Sequence, residues 1–139
     1  MQTLAYDKHF TPQEANRMLP LVRSIVADIQ QQGFALQEMQ KTKPEAGSDE
    51  AEELKRAKEH RMKVINSMFQ ELEELGCFYK GIDFEIGMVD FPGFINEEEV
   101  LLCWKSDEAQ ITWYHPLDTG FKGRQLIPSD LLNAEAPAS

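Results

Sequence analysis

Apolar residues recur three and four positions apart through the first half of the chain. Near Gly76 that pattern gives way to aromatic and β-branched residues punctuated by glycine. The stripe Ala15, Met18, Leu19, Val22, Ile25, Val26 and Ile29, continued through Phe34, Leu36 and Met39, predicts a helix over about 12–40. Its entry is marked by Thr11 as N-cap, Pro12 at the first helical position and Glu14 where a capping box returns its side chain to the cap. Pro20 lacks a donor and crowds the preceding turn, which predicts a kink. Pro44 and Gly47 then break the pattern, and Ser48 or Asp49 caps a second helix over about 49–75. Its stripe is Leu54, Ala57, Val64, Ile65, Met68, Phe69, Leu72 and Leu75, and Gly76 suits a left-handed stop.

The short link predicts an antiparallel hairpin of the two helices. A helix from 12 to 40 is about 43 Å long, whereas a compact chain of this length is only roughly 37 Å across. The tip therefore projects, and its apolar seam (Leu36, Met39, Leu54, Ala57) is thin. Either the tip is a solvated coiled-coil arm or a second copy covers it. A homodimer is the expectation.

Beyond Gly76 the chain predicts a small antiparallel sheet. "FEIGMVDFPGF" reads as a strand ending at Pro92, which cannot donate to a ladder. "EEVLLCWK" and "QITWYHP" read as strands joined by the short turn "SDEA". That turn sets Trp104 opposite Ile111, Leu102 opposite Trp113 and Val100 opposite His115, so both tryptophans share the face that packs on the helices. The fold class is α+β: a long antiparallel two-helix hairpin on a small antiparallel β-sheet. One domain is expected over 1–133, with the sheet at about 77–127 and a disordered tail at 134–139.

Composition narrows the function classes. The 139 residues are 42% hydrophobic and 27% charged, as in soluble globular domains. The net charge of −10 argues against nucleic acid and anionic membrane surfaces as partners. No apolar run is long enough to span a bilayer, and "MQTLAYDKHF" has no signal-peptide pattern, so a cytoplasmic location is expected. Cys77 and Cys103 lack metal-ligand spacing and basic neighbours, and read as buried, reduced thiols.

The candidate chemistry gathers near the end of the sheet. His115 closes the apolar face, three residues before Asp118, and a carboxylate from Asp118 or from Asp90 on the neighbouring strand would fix its tautomer and raise its basicity. A half-buried histidine bonded to backbone is the competing reading. In "DTGFKGR", Gly120 and Gly123 permit left-handed turns or close backbone approach, and Arg124 offers a planar donor fork to a carboxylate or phosphate, or to one of the chain's own acids. Neither a phosphate-binding loop nor a dinucleotide fingerprint is present, and no Glu-x-x-His pair occurs on the helices.

Four ordered blocks, "FTPQEANRMLPLVRSIV", "GMVDFP", "VLLCWK" and "YHPLDTGFKGR", give a chain that resembles the bacterial domain-of-unknown-function family 2203. The resemblance implies a small cytoplasmic protein and carries no established activity. Asp90, Phe91, Pro92, Trp104, Lys105, His115, Asp118, Gly120, Phe121, Gly123 and Arg124 match the family pattern, whereas Tyr114 replaces its usual tryptophan and Pro116 its usual glutamate. Two functions follow as expectations. The first is a homodimeric binding module that takes a protein partner or a small ligand. The second is an enzyme or divalent-metal protein using His115 with Asp90 or Asp118, in which Arg124, Trp104, Lys105, Gly120 and Gly123 hold an anionic small molecule.

Overall fold

A computed structural model describes residues 3–81 and 84–132. The expected disordered tail at 134–139 lies outside the described residues. Helix α1 spans Pro12–Lys41 and α2 spans Asp49–Leu75, and they pack on each other as a hairpin. A five-stranded antiparallel meander follows: β1 (Phe78–Tyr79), β2 (Met88–Ile95), β3 (Glu98–Lys105), β4 (Trp113–Pro116) and β5 (Gln125–Leu126), in that spatial order. A 3-10 turn at Gly120–Gly123 links β4 to β5, and a short helix α3 (Ser129–Leu132) returns to α1. The protein is an α+β fold. Among the described residues no helix is long and apolar enough to cross a membrane.

The helix ends follow local chemistry. The Thr11 hydroxyl accepts from the Glu14 amide at 3.1 Å while the Glu14 carboxylate accepts from the Thr11 amide at 2.9 Å, which completes the capping box. Ser48 caps α2 by accepting from the Ala51 amide, and Gly76 ends it at φ 101°, in the left-handed region where a side chain is strained. The α1 helix runs continuously through Pro20, which lies on its exposed face. Gly33 interrupts the stripe for a packing reason: the Phe84 ring occupies the space a Cβ would need.

The core lies between α1 and one face of the sheet. Ala15, Leu19, Val22, Val26 and Ile29 meet Val89, Phe91, Val100, Leu102, Trp104 and Ile111, all buried. In contrast, α2 buries only Ile65 and Leu72 along its 27 residues. The hairpin seam is thin.

Two sequence expectations fail in the sheet. First, β2 does not end at Pro92 but continues to Ile95, with Pro92 opposite Leu101. The Pro92 carbonyl accepts from the Phe10 amide at 2.7 Å on the outer edge of β2. A residue's N and C=O point to the same side of a strand, so the missing donor lies on that edge too and no bond to β3 is lost. The strand then turns through Asn96 and Glu97, both at positive φ, into β3.

Second, β3 and β4 pair one residue out of the expected register. Cys103 faces Trp113, Leu102 faces Tyr114 and Leu101 faces His115. A one-residue slip exchanges the two faces of a strand. Trp104 is therefore fully buried against the helices, while Trp113 and His115 stand on the opposite face with Leu101 and Cys103. The cause is the connector at 106–112, which is longer than a tight turn. The Asn16 amide on α1 grips Ile111 twice, accepting from its N–H at 2.8 Å and donating to its carbonyl at 3.1 Å. Glu108 fixes the other end, its side chain accepting from the Lys105 amide and its carbonyl from the Trp104 indole.

Candidate functional site

On the sheet face turned away from the helices, three adjacent strands each present one chemically capable side chain. Asp90 on β2 lies directly opposite Cys103 on β3. His115 on β4 is next to that pair along the sheet and reaches across β3. Its Nε2 lies 3.2 Å from both Asp90 carboxylate oxygens, and its Nδ1 lies 2.8 Å from the Pro116 carbonyl oxygen. A carbonyl only accepts, so Nδ1 carries a hydrogen and donates it. The one-carboxylate, one-thiol, one-imidazole cluster is buried: Asp90 is 4%, Cys103 1% and His115 2% exposed. Its ligand atoms all lie within 4.8 Å of one another.

The electrostatics follow from that geometry. The hydrogen bond to Asp90, then one to Cys103, pushes the His115 pKa up to about 10, against the opposing effect of burial. Both ring nitrogens are engaged, Nδ1 with the Pro116 carbonyl and Nε2 with Asp90. A general-base role for His115 would require Nε2 to part from Asp90.

The cluster forms the floor of a cleft of about 330 Å³. Its walls are Met88, Leu101, Leu117 and Phe121, with Lys80, Gly120 and Tyr6 at the polar positions. Tyr6 belongs to the N-terminal segment, which is tied down by Glu99: the carboxylate accepts from the amides of Ala5 at 2.8 Å and Tyr6 at 3.1 Å and lies 2.7 Å from His9 Nε2. Burial, then the nearby Asp90 and Glu99 charges, raises the Tyr6 phenol pKa, so it stays protonated.

The anticipated residues divide. Asp90 and His115 come together, and Gly120 lines the cleft at φ 62°. Asp118 is exposed and outside the cleft lining, because the turn after Pro116 carries it outward, so it does not orient His115. Trp104 lies across the sheet, with Arg23 over its ring on the helix side, and contributes no surface to the cleft. Arg124 is already committed. Its guanidinium donates to Glu108 at 2.6 Å and to the Cys103 carbonyl at 3.1 Å, and lies over Trp113 at 5.0 Å. Burial works against its charge, yet Glu108 outweighs that and its pKa rises. Arg124 thus ties β3 to Glu108 from the face that carries Trp113. Gly123 gives room to Thr119, and Lys105 projects over the Phe121 ring beyond the cleft lining.

Sequence reasoning missed Cys103, Tyr6 and Lys80. Cys103 was legible in principle: it pairs with Asp90 once the β2–β3 hairpin is placed at Asn96 and Glu97. Tyr6 and Lys80 reach the cleft only through tertiary packing. Cys77, the other cysteine, is a buried core thiol that burial pushes up to about 12.

Fold and site together define a class: an α+β domain whose sheet carries a buried carboxylate–thiol–imidazole cluster beneath a small cleft. The chain belongs to the family described as uncharacterized conserved protein DUF2203, whose model matches residues 8–127. That span contains all three residues of the cluster. No curated protein and no solved structure shows significant similarity to the chain.

Proposed function

We propose that this protein binds a small anionic molecule in the cleft above Asp90, Cys103 and His115. The observation that carries the reading is the buried Asp90–His115 pair at the floor of an otherwise apolar-walled cleft. A concave site with apolar walls and few convergent polar groups, one with a strongly shifted pKa, is the usual form of a small-molecule site. The Asp90 and His115 charges offset each other, which leaves Lys80 as the other charged side chain among the described lining residues. The Tyr6 hydroxyl, kept protonated, is a further donor among the lining residues. Arg124, held by Glu108, has no part in this reading. The test is a titration of the metal-free protein with phosphate, oxalate and succinate, followed by NMR shifts of the Tyr6, Lys80 and Gly120 amides. Lys80→Glu is expected to weaken the best binder at least tenfold. Unchanged affinity in that variant, or no shift at those amides, sinks the reading.

A homodimer through the helical hairpin is a second reading with its own support. Phe34 and Met62 are exposed, and Leu36 and Met62 line a shallow groove between the helices. A second hairpin laid against that surface would cover side chains that α1 and α2 leave in water. Light scattering is expected to give twice the chain mass, falling to the monomer in Met62→Glu. A monomeric wild type rejects the dimer.

A further inference from the structure

We propose that Asp90, Cys103 and His115 form a binding site for one zinc-class divalent cation, with its open coordination position facing the cleft. The proposal rests on the cleft reading above for the role of that fourth position, but the ion site itself stands on the cluster alone.

The donor set carries the first part of the argument. One thiolate, one imidazole and one carboxylate form a mixed S, N and O set that suits borderline-soft zinc and disfavours magnesium or calcium, which take oxygen ligands. All three residues are buried, and each comes from a different strand of a continuous antiparallel ladder. The site is thus held by backbone pairing rather than by a mobile loop.

Geometry carries the second part. In a tetrahedral zinc site, metal–nitrogen and metal–oxygen bonds of about 2.1 Å place those two ligand atoms roughly 3.4 Å apart. His115 Nε2 lies 3.2 Å from each Asp90 oxygen, close to that edge and longer than the usual charge-assisted hydrogen bond of about 2.8 Å. A sulfur at about 2.3 Å from the ion would lie roughly 3.6 Å from the nitrogen. All the ligand atoms here fall within 4.8 Å, so closing around an ion takes a movement on the order of 1 Å.

The outer contact of His115 is the third part. A metal-bound histidine characteristically donates its other ring N–H to a carbonyl or carboxylate, which fixes the tautomer and aims the lone pair. The Nδ1–H of His115 does this to the Pro116 carbonyl at 2.8 Å, leaving Nε2 directed at the centre of the cluster. Coordination replaces the Nε2 hydrogen and the Cys103 thiol hydrogen with the ion, and both protons go to solvent. Three protein ligands then leave one position toward Tyr6, Lys80 and Phe121, where water or an anionic ligand completes the tetrahedron.

The experiment uses the full chain, stripped with chelator and titrated with Co²⁺ and then Zn²⁺. One equivalent of Co²⁺ is expected to give tetrahedral ligand-field bands and a thiolate-to-cobalt charge-transfer band, both removed by one equivalent of Zn²⁺. Cys103→Ser is expected to abolish the charge-transfer band and weaken Zn²⁺ by about 100-fold or more. His115→Gln is expected to weaken it comparably, and His60→Gln to change nothing. Wild-type protein supplies a readout that no folding defect can blur: Zn²⁺ should move the ¹⁵Nε2 resonance of His115 and leave those of His9 and His60 in place. Absence of a thiolate–cobalt band, or a shift at His9 or His60 instead, overturns the proposal. Zn²⁺ binding with these signatures but no anion binding would reject the cleft reading alone. Anion binding in metal-free protein without any Zn²⁺ site would reject the ion alone.

Discussion

His115 reaches across an entire intervening strand to hold Asp90, with its Nε2 at the same 3.2 Å from both carboxylate oxygens. Two groups separated by 25 positions in the chain become the most buried ion pair on the sheet's second face. That contact links β2 to β4 without passing through the ladder.

Removing one partner of such a pair leaves the other charge buried and uncompensated. Asp90→Asn is expected to lower the unfolding free energy of the metal-free protein by about 3 kcal/mol, measured by urea denaturation. Asp90→Asn combined with His115→Gln should cost clearly less than the sum of the single changes, since neither residue then strands a charge. Additive effects would show that the pair contributes no coupling.

The two tryptophans should respond unequally. Trp104 is fully buried in the main core, whereas Trp113 is half-buried beneath Arg124 on the other face. Trp104→Ala is expected to cost about 4 kcal/mol and Trp113→Ala about half as much or less, by equilibrium unfolding. Equal losses would contradict the opposed orientation of the two indoles.

Acid should release the N-terminal segment before the core. Burial raises the Glu99 pKa, but the Ala5 amide, the His9 ring and the Tyr6 amide together outweigh it and hold the carboxylate below its usual 4.5. A depressed folded-state pKa means the stabilisation is present above about 4.5 and is lost as pH falls through the lower folded value. Hydrogen exchange at Ala5 and Tyr6 is therefore expected to gain an extra opening contribution on going from pH 5 to about pH 3, after correction for intrinsic rates. Glu99→Gln should show that opening at every pH. A wild type protected equally at both pH values would remove the latch role.

Asn16 is expected to control the register-setting connector. Asn16→Ala removes both bonds to the Ile111 backbone and leaves its buried amide unsatisfied, at a cost of about 2 kcal/mol. The Ile111 amide should exchange faster while the β2–β3 amides stay protected. If Ile111 remains as protected as before, another group holds the connector.

Much of the architecture was legible because it rests on local chemistry. Thr11, Pro12 and Glu14 start α1, Ser48 starts α2 and Gly76 ends it, all through bonds spanning a few residues. The apolar stripe of α1 and the alternation in β3 then bring those elements together around Trp104. The candidate site was only half legible. Asp90 and His115 were named as chemistry-bearing residues, but the expected register put His115 on the helix side and left Cys103 as a bystander.

By itself, the sequence determined the two long helices and the three main strands in outline, since capping, glycine conformation and hydrophobic period act within a turn or two of chain. Only the tertiary structure decided which face of β4 carries His115. That choice depends on a connector held by Asn16 from α1 and by Glu108 with Arg124, contacts made between residues up to 95 positions apart. A strand repeats every two residues, so a shift of one position costs little in local propensity and reverses every side chain. The Asp90–Cys103–His115 cluster exists because those distant hydrogen bonds fix that one position.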